Sequence, residues 1–223
     1  MLNKRKTCII LIILLAQVGI IIGVQNGGVM KLPDPKYQGK ISLEQAIFQR
    51  RSIRNYKDEA LSLEDVSQIL WSAQGKTSDW GGRTVPSAGA SYPLEIYLVV
   101  GNVTGLDVGI YHYLWDKNEL EKILDKDVRA DFASAAWRQE CIRKAAISIV
   151  IAADYNRTTK QYGKSGIRYV DNEIGHCGQN IYLQCEALGL GTVAIGAFQE
   201  DRITQILKIK EEPIYIMPIG KQK

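Results

Sequence analysis

The sequence predicts a single α+β domain behind an apolar N-terminus, and three observations carry this. Helical and strand patterns alternate irregularly, two strands lie close enough to form a hairpin, and one strand, Ala145 to Ala153, is apolar without interruption. With 223 residues, 46% hydrophobic and 23% charged, the chain holds material for one core of ordinary composition. The formal net charge of +4 is spread along the chain, partly in Lys4-Arg5-Lys6 and partly in Lys221 and Lys223. With no basic stripe and no reading motif, nucleic acid is not an expected partner.

The N-terminus comes first. After Lys4-Arg5-Lys6 an apolar run extends from Cys8 to Val24, broken only by Gln17. Positive charge before an apolar stretch marks an export signal or a signal anchor. About 17 residues is the short limit of what crosses a bilayer. No small-x-small cleavage site stands out around Gly23-Val24-Gln25, and the run lacks the polar face of a globular helix. Residues 1–25 are therefore expected to be a signal anchor or a signal peptide, with the domain membrane-anchored or exported and outside the cytoplasm. Residues 26–40, with Gly27-Gly28, Pro33-Asp34-Pro35 and Gly39, read as a linker, which leaves 41–223 for the domain.

Within the domain, Ser42-x-x-Gln45 starts a helix that carries Ala46, Ile47 and Phe48 toward Arg50-Arg51. Ser62-x-x-Asp65 starts a second, whose Val66, Ile69, Leu70 and Ala73 share one stripe before Gly75 stops it. Leu94 to Val100 alternates and then turns wholly apolar, as a strand does on entering a core. Gly109 to Trp115 is a strand closed by the Asp116-Lys117-Asn118 turn, with Glu119 to Leu124 pairing back. Asp127 to Glu140 reads as a helix, and Ala145 to Ala153 as a strand buried on both faces. The longest helix covers about Gly166 to Leu188, ended by Gly189. A strand over Gly191–Ala197, a helix over Gln199–Lys208 and a last strand over Ile214–Ile219 complete the chain.

Two features of the long helix bear on assembly and redox state. Glycine costs a helix roughly 1 kcal/mol relative to alanine, so Gly175 and Gly178 point to a closely approaching neighbour, such as a second subunit, or to simple tolerance. Cys177 and Cys185 would stand about 12 Å apart along the axis, beyond the roughly 7 Å that a disulfide allows. They read as buried apolar side chains.

Three guanidiniums and a hydroxyl fall within Arg50-Arg51-Ser52-Ile53-Arg54. Arginine forms bidentate, charge-assisted bonds to phosphate. These side chains converge only if a helix ends here and extended chain follows; otherwise they form a solvated basic face. Pro86-Ser87-Ala88-Gly89-Ala90-Ser91-Tyr92-Pro93 is rigid and small, so it could take a flat aromatic ligand or be an ordinary loop. Glycines between Leu188 and Gly196 close a helix and lead into a strand, the reverse of a dinucleotide fingerprint. No nucleophile elbow or Walker loop is present. Only His112 and His176 are available, and both read as structural groups rather than metal ligands. An enzyme so poor in acid–base equipment takes its reactivity from a cofactor.

In order along the chain, Arg50-Arg51-Ser52-Ile53-Arg54-x-Tyr56, Leu61-Ser-Leu-Glu-Asp65 and Leu70-Trp71-x-Ala73-x-Gly75 resemble the nitroreductase family. Pro86-Ser-Ala-Gly-Ala90, Gly109-Ile-Tyr-His-Tyr113, Gly166-Ile-Arg168-Tyr169, Gly175-His176-x-x-Gln179-Asn180-x-Tyr182-Leu183, Leu188-Gly-Leu-Gly191 and Ile195-Gly-Ala-Phe198 resemble its SagB-type dehydrogenase branch. The resemblance implies a nitroreductase-like α+β fold, a central mostly antiparallel sheet flanked by helices, with FMN at a homodimer interface. By the same resemblance Arg50, Arg51, Ser52 and Arg54 would hold the flavin phosphate, ribityl chain and pyrimidine edge. Pro86, Ser87, Ala88 and Gly89 would reach the isoalloxazine of the other subunit's site, and Ile195 and Gly196 would line the ring.

Two departures from the family pattern matter. The family usually ends its last strand with Gly-Arg at the phosphate, where this chain has Gly220-Lys221; lysine keeps the charge and loses the bidentate geometry. Azoline-oxidising members carry a Lys-Tyr pair where this chain has Gln161-Tyr162, which favours general hydride transfer over aromatisation of a peptide azoline. The implied reaction is ping-pong transfer from NAD(P)H through the flavin to a nitroaromatic, quinone or similar small molecule. Two other readings stay open: a SagB-type tailoring dehydrogenase oxidising a peptide or metabolite, and a membrane-tethered protein that binds flavin without turnover.

Overall fold

The strand Ile147–Ala153 lies inside the sheet because all seven of its residues are buried. The computed structural model describes residues 28–223. Its strands are β1 (Val29–Lys31), β2 (Leu94–Val100), β3 (Gly109–Leu114), β4 (Glu119–Leu124), β5 (Ile147–Ala153), β6 (Leu190–Thr192) and β7 (Glu212–Lys221). They form one sheet in the order β1-β4-β3-β2-β5-β7-β6, and every neighbouring pair is antiparallel. The helices are α1 (Leu43–Gln49), α2 (Leu63–Gln74), α3 (Arg129–Ala135), α4 (Glu140–Lys144), α5 (Tyr155–Tyr162), α6 (Ser165–Ala187) and α7 (Glu200–Leu207).

Because strand side chains alternate, β2 and β5 build two cores at once. Ile147, Ile149 and Ile151 join Leu94, Ile96 and Leu98 on the face covered by α2 and α6. Val150 and Ala152 join Tyr97 and Val99 on the face covered by α3, α4 and α7. Each fully buried aliphatic side chain contributes about 1.5–3 kcal/mol. The stripe expected on α2 (Val66, Ile69, Leu70, Ala73) meets Val170, Ile174, Cys177, Ile181 and Cys185 of α6. Cys141, Cys177 and Cys185 are free and buried. A Cβ on Gly178 would meet Tyr215 of β7 only at an ordinary 3.6 Å, and Gly175 faces open space on the outer side, so neither glycine is required by packing within the chain.

Several expectations need correction. Val29–Lys31, within the stretch read as a linker, pairs with Glu119–Glu121 as an edge strand, and Leu32 is buried, so the packed chain starts before Ile41. The helix expected over Asp127–Glu140 stops at Ala135, where the chain turns through Trp137 and Arg138 with positive φ of 55° and 62°, and a second short helix starts only at Glu140 and runs to Lys144. The strand expected over Gly191–Ala197 ends at Thr192, and Ile195 rejoins the sheet by a bridge to Ile216. The signal segment expected at residues 1–25 lies outside the described residues. Among those described, no helix is long and apolar enough to cross a membrane.

Candidate active site

The chain at Arg50 meets the condition for the arginines to converge. The Arg50 N–H still donates to the Ala46 carbonyl, closing α1, while its own φ and ψ of −48° and 124° turn the chain extended. The segment that follows is then fastened to the sheet. Ile53 N–H donates to the Thr192 carbonyl at 2.9 Å, and Lys57 N–H to that of Lys221 at 2.9 Å. The Tyr56 hydroxyl donates to the carbonyls of Ile53 (2.8 Å) and Pro218 (3.0 Å). Burial pushes the Tyr56 phenol up, so it remains a donor. Two glycines make this close approach feasible. A Cβ on Gly191 would come 2.6 Å from the Ile53 side chain, and one on Gly220 would come 2.8 Å from Tyr56.

Tyr182 of α6 joins two predicted parts of the site. Its hydroxyl lies 3.0 Å from the Ser52 hydroxyl and accepts from the Ala194 N–H at 2.8 Å. The Arg50 guanidinium sits over the Tyr182 ring, 5.0 Å from its centre. Ile195 is held by reciprocal 2.9 Å bonds with Ile216, and Gly196 beside it is exposed. Arg51 caps α1, donating to the carbonyls of Phe48, Gln49 and Arg50. Among the described residues, no ion pair engages Arg50, Arg51 or Arg54, whereas Lys221 pairs with Glu59 at 3.2 Å.

The predicted loop lies elsewhere in the same chain. Gly89, Ala90 and Tyr92 take positive φ of 58°, 53° and 44°, and the tips of Gln161 and Tyr162 close on Gly89. Tyr92 N–H donates to the Ser87 hydroxyl at 2.8 Å. Arg83 is held between two rings, 4.3 Å from the centre of Tyr92 and 4.0 Å from that of Trp115. Beneath the loop, the buried Glu173 of α6 has the Ser87 hydroxyl beside it. Glu173 and Tyr182 are nine positions apart on α6, about 14 Å along the axis and about half a turn around it. The structure therefore brings Arg50, Ser52, Ile195 and Lys221 to one end of the fold. It does not bring Pro86, Ser87, Ala88 and Gly89 to them within one chain.

Sequence reasoning gave no role to Tyr182 or Glu173. Tyr182 stands within a quoted motif, but its partner Ser52 lies 130 residues away. Of the two histidines, His112 is a bonded structural group, 2.9 Å from Glu95 and stacked on Tyr97. His176 is exposed.

An oxidoreductase class is the one this fold and basic turn fit, and the comparisons agree. The nitroreductase family model matches residues 47–221, and the chain belongs to that family. It is 47% identical over 193 residues to "Putative nitroreductase MJ1384" of Methanocaldococcus jannaschii, covering 86% of this chain and 96% of that protein. A crystal structure from Ralstonia eutropha JMP134, described in the same words as a "putative nitroreductase", superposes with a TM-score of 0.77. It is 26% identical, over 90% of this chain and 93% of its own. The trifolitoxin-processing protein TfxB of Rhizobium leguminosarum bv. trifolii is 25% identical, and the match spans 67% of this chain but only 43% of that relative. Its presence beside the nitroreductases accords with the SagB-type resemblance. Family membership makes the protein a flavin-type oxidoreductase in the general sense.

Proposed function

We propose that the protein is an FMN-dependent oxidoreductase that works as a homodimer. In this reading the arginine turn of one copy and the Pro86–Gly89 loop of the other close on one flavin. The observation that carries it is the donor set at the end of α1. Arg50, Arg51 and Arg54 have no carboxylate partner among the described residues, and Ser52 and Tyr182 stand beside Arg50. This set suits a phosphate and a polyol chain. A Cβ on Gly196 would meet only ordinary contacts, Tyr215 at 3.5 Å, so nothing in the single chain demands glycine there. A flat ring lying against this backbone would.

When bound, FMN supplies reversible hydride transfer between NAD(P)H and a nitroaromatic, quinone or similar acceptor. The protein's own part is binding and orientation. Arg50 and Arg54 offer positive charge, Ser52 and Tyr182 offer hydroxyls, and the rigid segment around Ile195 fixes one wall. Lys221 would have to leave Glu59 to reach a phosphate.

Surface and reach both favour a second copy. Leu43, Ile47 and Phe48 on α1 are 61%, 55% and 78% exposed, an apolar face that a soluble monomer rarely leaves bare. A groove of about 810 Å³ between α1, α2 and the end of α6 continues this face and shares Leu43 with it. The half-turn separating Ser52 from Ser87 on α6 is bridged when the loop comes from the other copy. Residues 1–25 are proposed to hold the domain to a membrane or to export it. A tailoring dehydrogenase is the second reading, favoured by the similarity to TfxB and opposed by Gln161 in place of lysine.

The test is direct. Purified full-length chain should be yellow, bleach on adding NADH or NADPH without oxygen, and recover its colour with a quinone. Arg50→Ala and Arg54→Ala should each weaken FMN binding about 10- to 100-fold, the worth of a charged hydrogen bond. A colourless wild-type protein indifferent to added FMN, or full flavin retention by both variants, refutes the reading.

A further inference from the structure

We propose that Glu173 is a positioning residue for the flavin loop, its buried carboxyl deciding whether the Ser87 hydroxyl is committed inward or is free to bond the cofactor. This rests on the FMN reading above.

Glu173 is 3% exposed and Gln74 1% exposed, and both lie beneath the 86–92 loop. Glu173 Oε1, Gln74 Nε2 and Arg83 Nε have no hydrogen-bond partner, though all three atoms are buried. Buried polar atoms left unpaired are costly, so a cluster of them at one place calls for a reason. Arg83 cannot swing away, because its guanidinium is sandwiched between Tyr92 and Trp115 and donates to Gln74 Oε1 at 3.3 Å.

Ser87 has one hydroxyl proton. Its oxygen already accepts from Tyr92 N–H, so that proton is what remains to be assigned. An ionised carboxylate only accepts, and it draws the Ser87 proton inward. A protonated carboxyl does not need it, and Ser87 can then donate outward to a ligand lying on the loop. The groups facing Glu173 are Ser87 of the loop, Arg83 of the α2–β2 connection, Gln74 of α2 and, on its own helix, Cys177. Burial pushes the Glu173 carboxyl up to about 7, opposed by Ser87, Arg83 and Gln74. Both protonation states are therefore accessible near neutral pH.

The experiment titrates full-length apoprotein with FMN between pH 6 and pH 8, following flavin fluorescence, for wild type and Glu173→Gln. The comparison is made at each pH because the FMN phosphate titrates near 6 itself. The ratio of wild-type to variant Kd should be close to one at pH 6 and rise to about tenfold at pH 8, one hydrogen bond's worth. Ser87→Ala should bind FMN more weakly at pH 6 and lose the rise, with unchanged circular dichroism showing that it folds. A flat ratio, or a Ser87→Ala profile like wild type, overturns the inference while leaving the FMN site intact. Wild type that binds no FMN at any pH refutes both.

Discussion

A single hydroxyl, that of Tyr182, links Ser52 to the Ala194 N–H and so joins the arginine turn to the Ile195–Gly196 wall. Tyr182→Phe leaves two partners short of a bond. It should cost about 1–2 kcal/mol in urea denaturation and loosen FMN binding alongside. Glu173 gives a second residue-level expectation. An acid raised in the folded state to about 7 from 4.5 binds its proton more tightly folded than unfolded. The stability this gives is present in full below pH 4.5 and is lost as pH rises through 7. Glu173→Gln should therefore match wild type near pH 4.5 and exceed it by about 3 kcal/mol at pH 8, read from thermal melts. At this scale the arginines were legible because three cations in five residues are conspicuous. Tyr182 and Glu173 were not, since their roles come from partners distant in sequence.

Among the elements, α2 was readable almost to the residue, because its stop and start signals are local. Asp65 N–H donates to the Ser62 hydroxyl at 3.1 Å, and Ser62 N–H to the Asp65 carboxylate at 3.3 Å. Ser62→Ala should lower stability by about 1 kcal/mol without changing flavin affinity, since Ser62 caps the end of α2 opposite Gln74. Elements lacking such signals were missed or misjudged. Helix α5 has a polar sequence, YNRTTKQY, with no apolar stripe to announce it. Strand β1 is three residues long and sits among glycines and prolines, so only its partner β4 defines it. The break between α3 and α4 follows from left-handed backbone at Trp137 and Arg138, residues with no marked preference for it.

For the molecule as a whole, the class and the two-faced burial of β5 were legible, whereas the strand order was not. Nothing in a local pattern says that β7 inserts between β5 and β6. That insertion brings Lys221 and Gly220 against the arginine turn, so the site's geometry depends on the least predictable part of the fold. The assembly yields its own prediction. Phe48→Asp, on the bare face of α1, should convert the proposed dimer to a monomer on size-exclusion chromatography and release flavin with it, although Phe48 makes no proposed contact to the cofactor.

The half-turn of α6 that parts Ser52 from Ser87 has a genetic corollary. In the proposed homodimer, chains damaged only at the arginine turn and chains damaged only at the small-residue loop carry lesions in different halves of each composite pocket. Mixed after denaturation and renatured together, two colourless populations should yield hybrid pairs in which one pocket inherits both lesions and the other inherits none. Colour would then reappear in about half the pockets of every hybrid, a complementation that no self-contained pocket could produce.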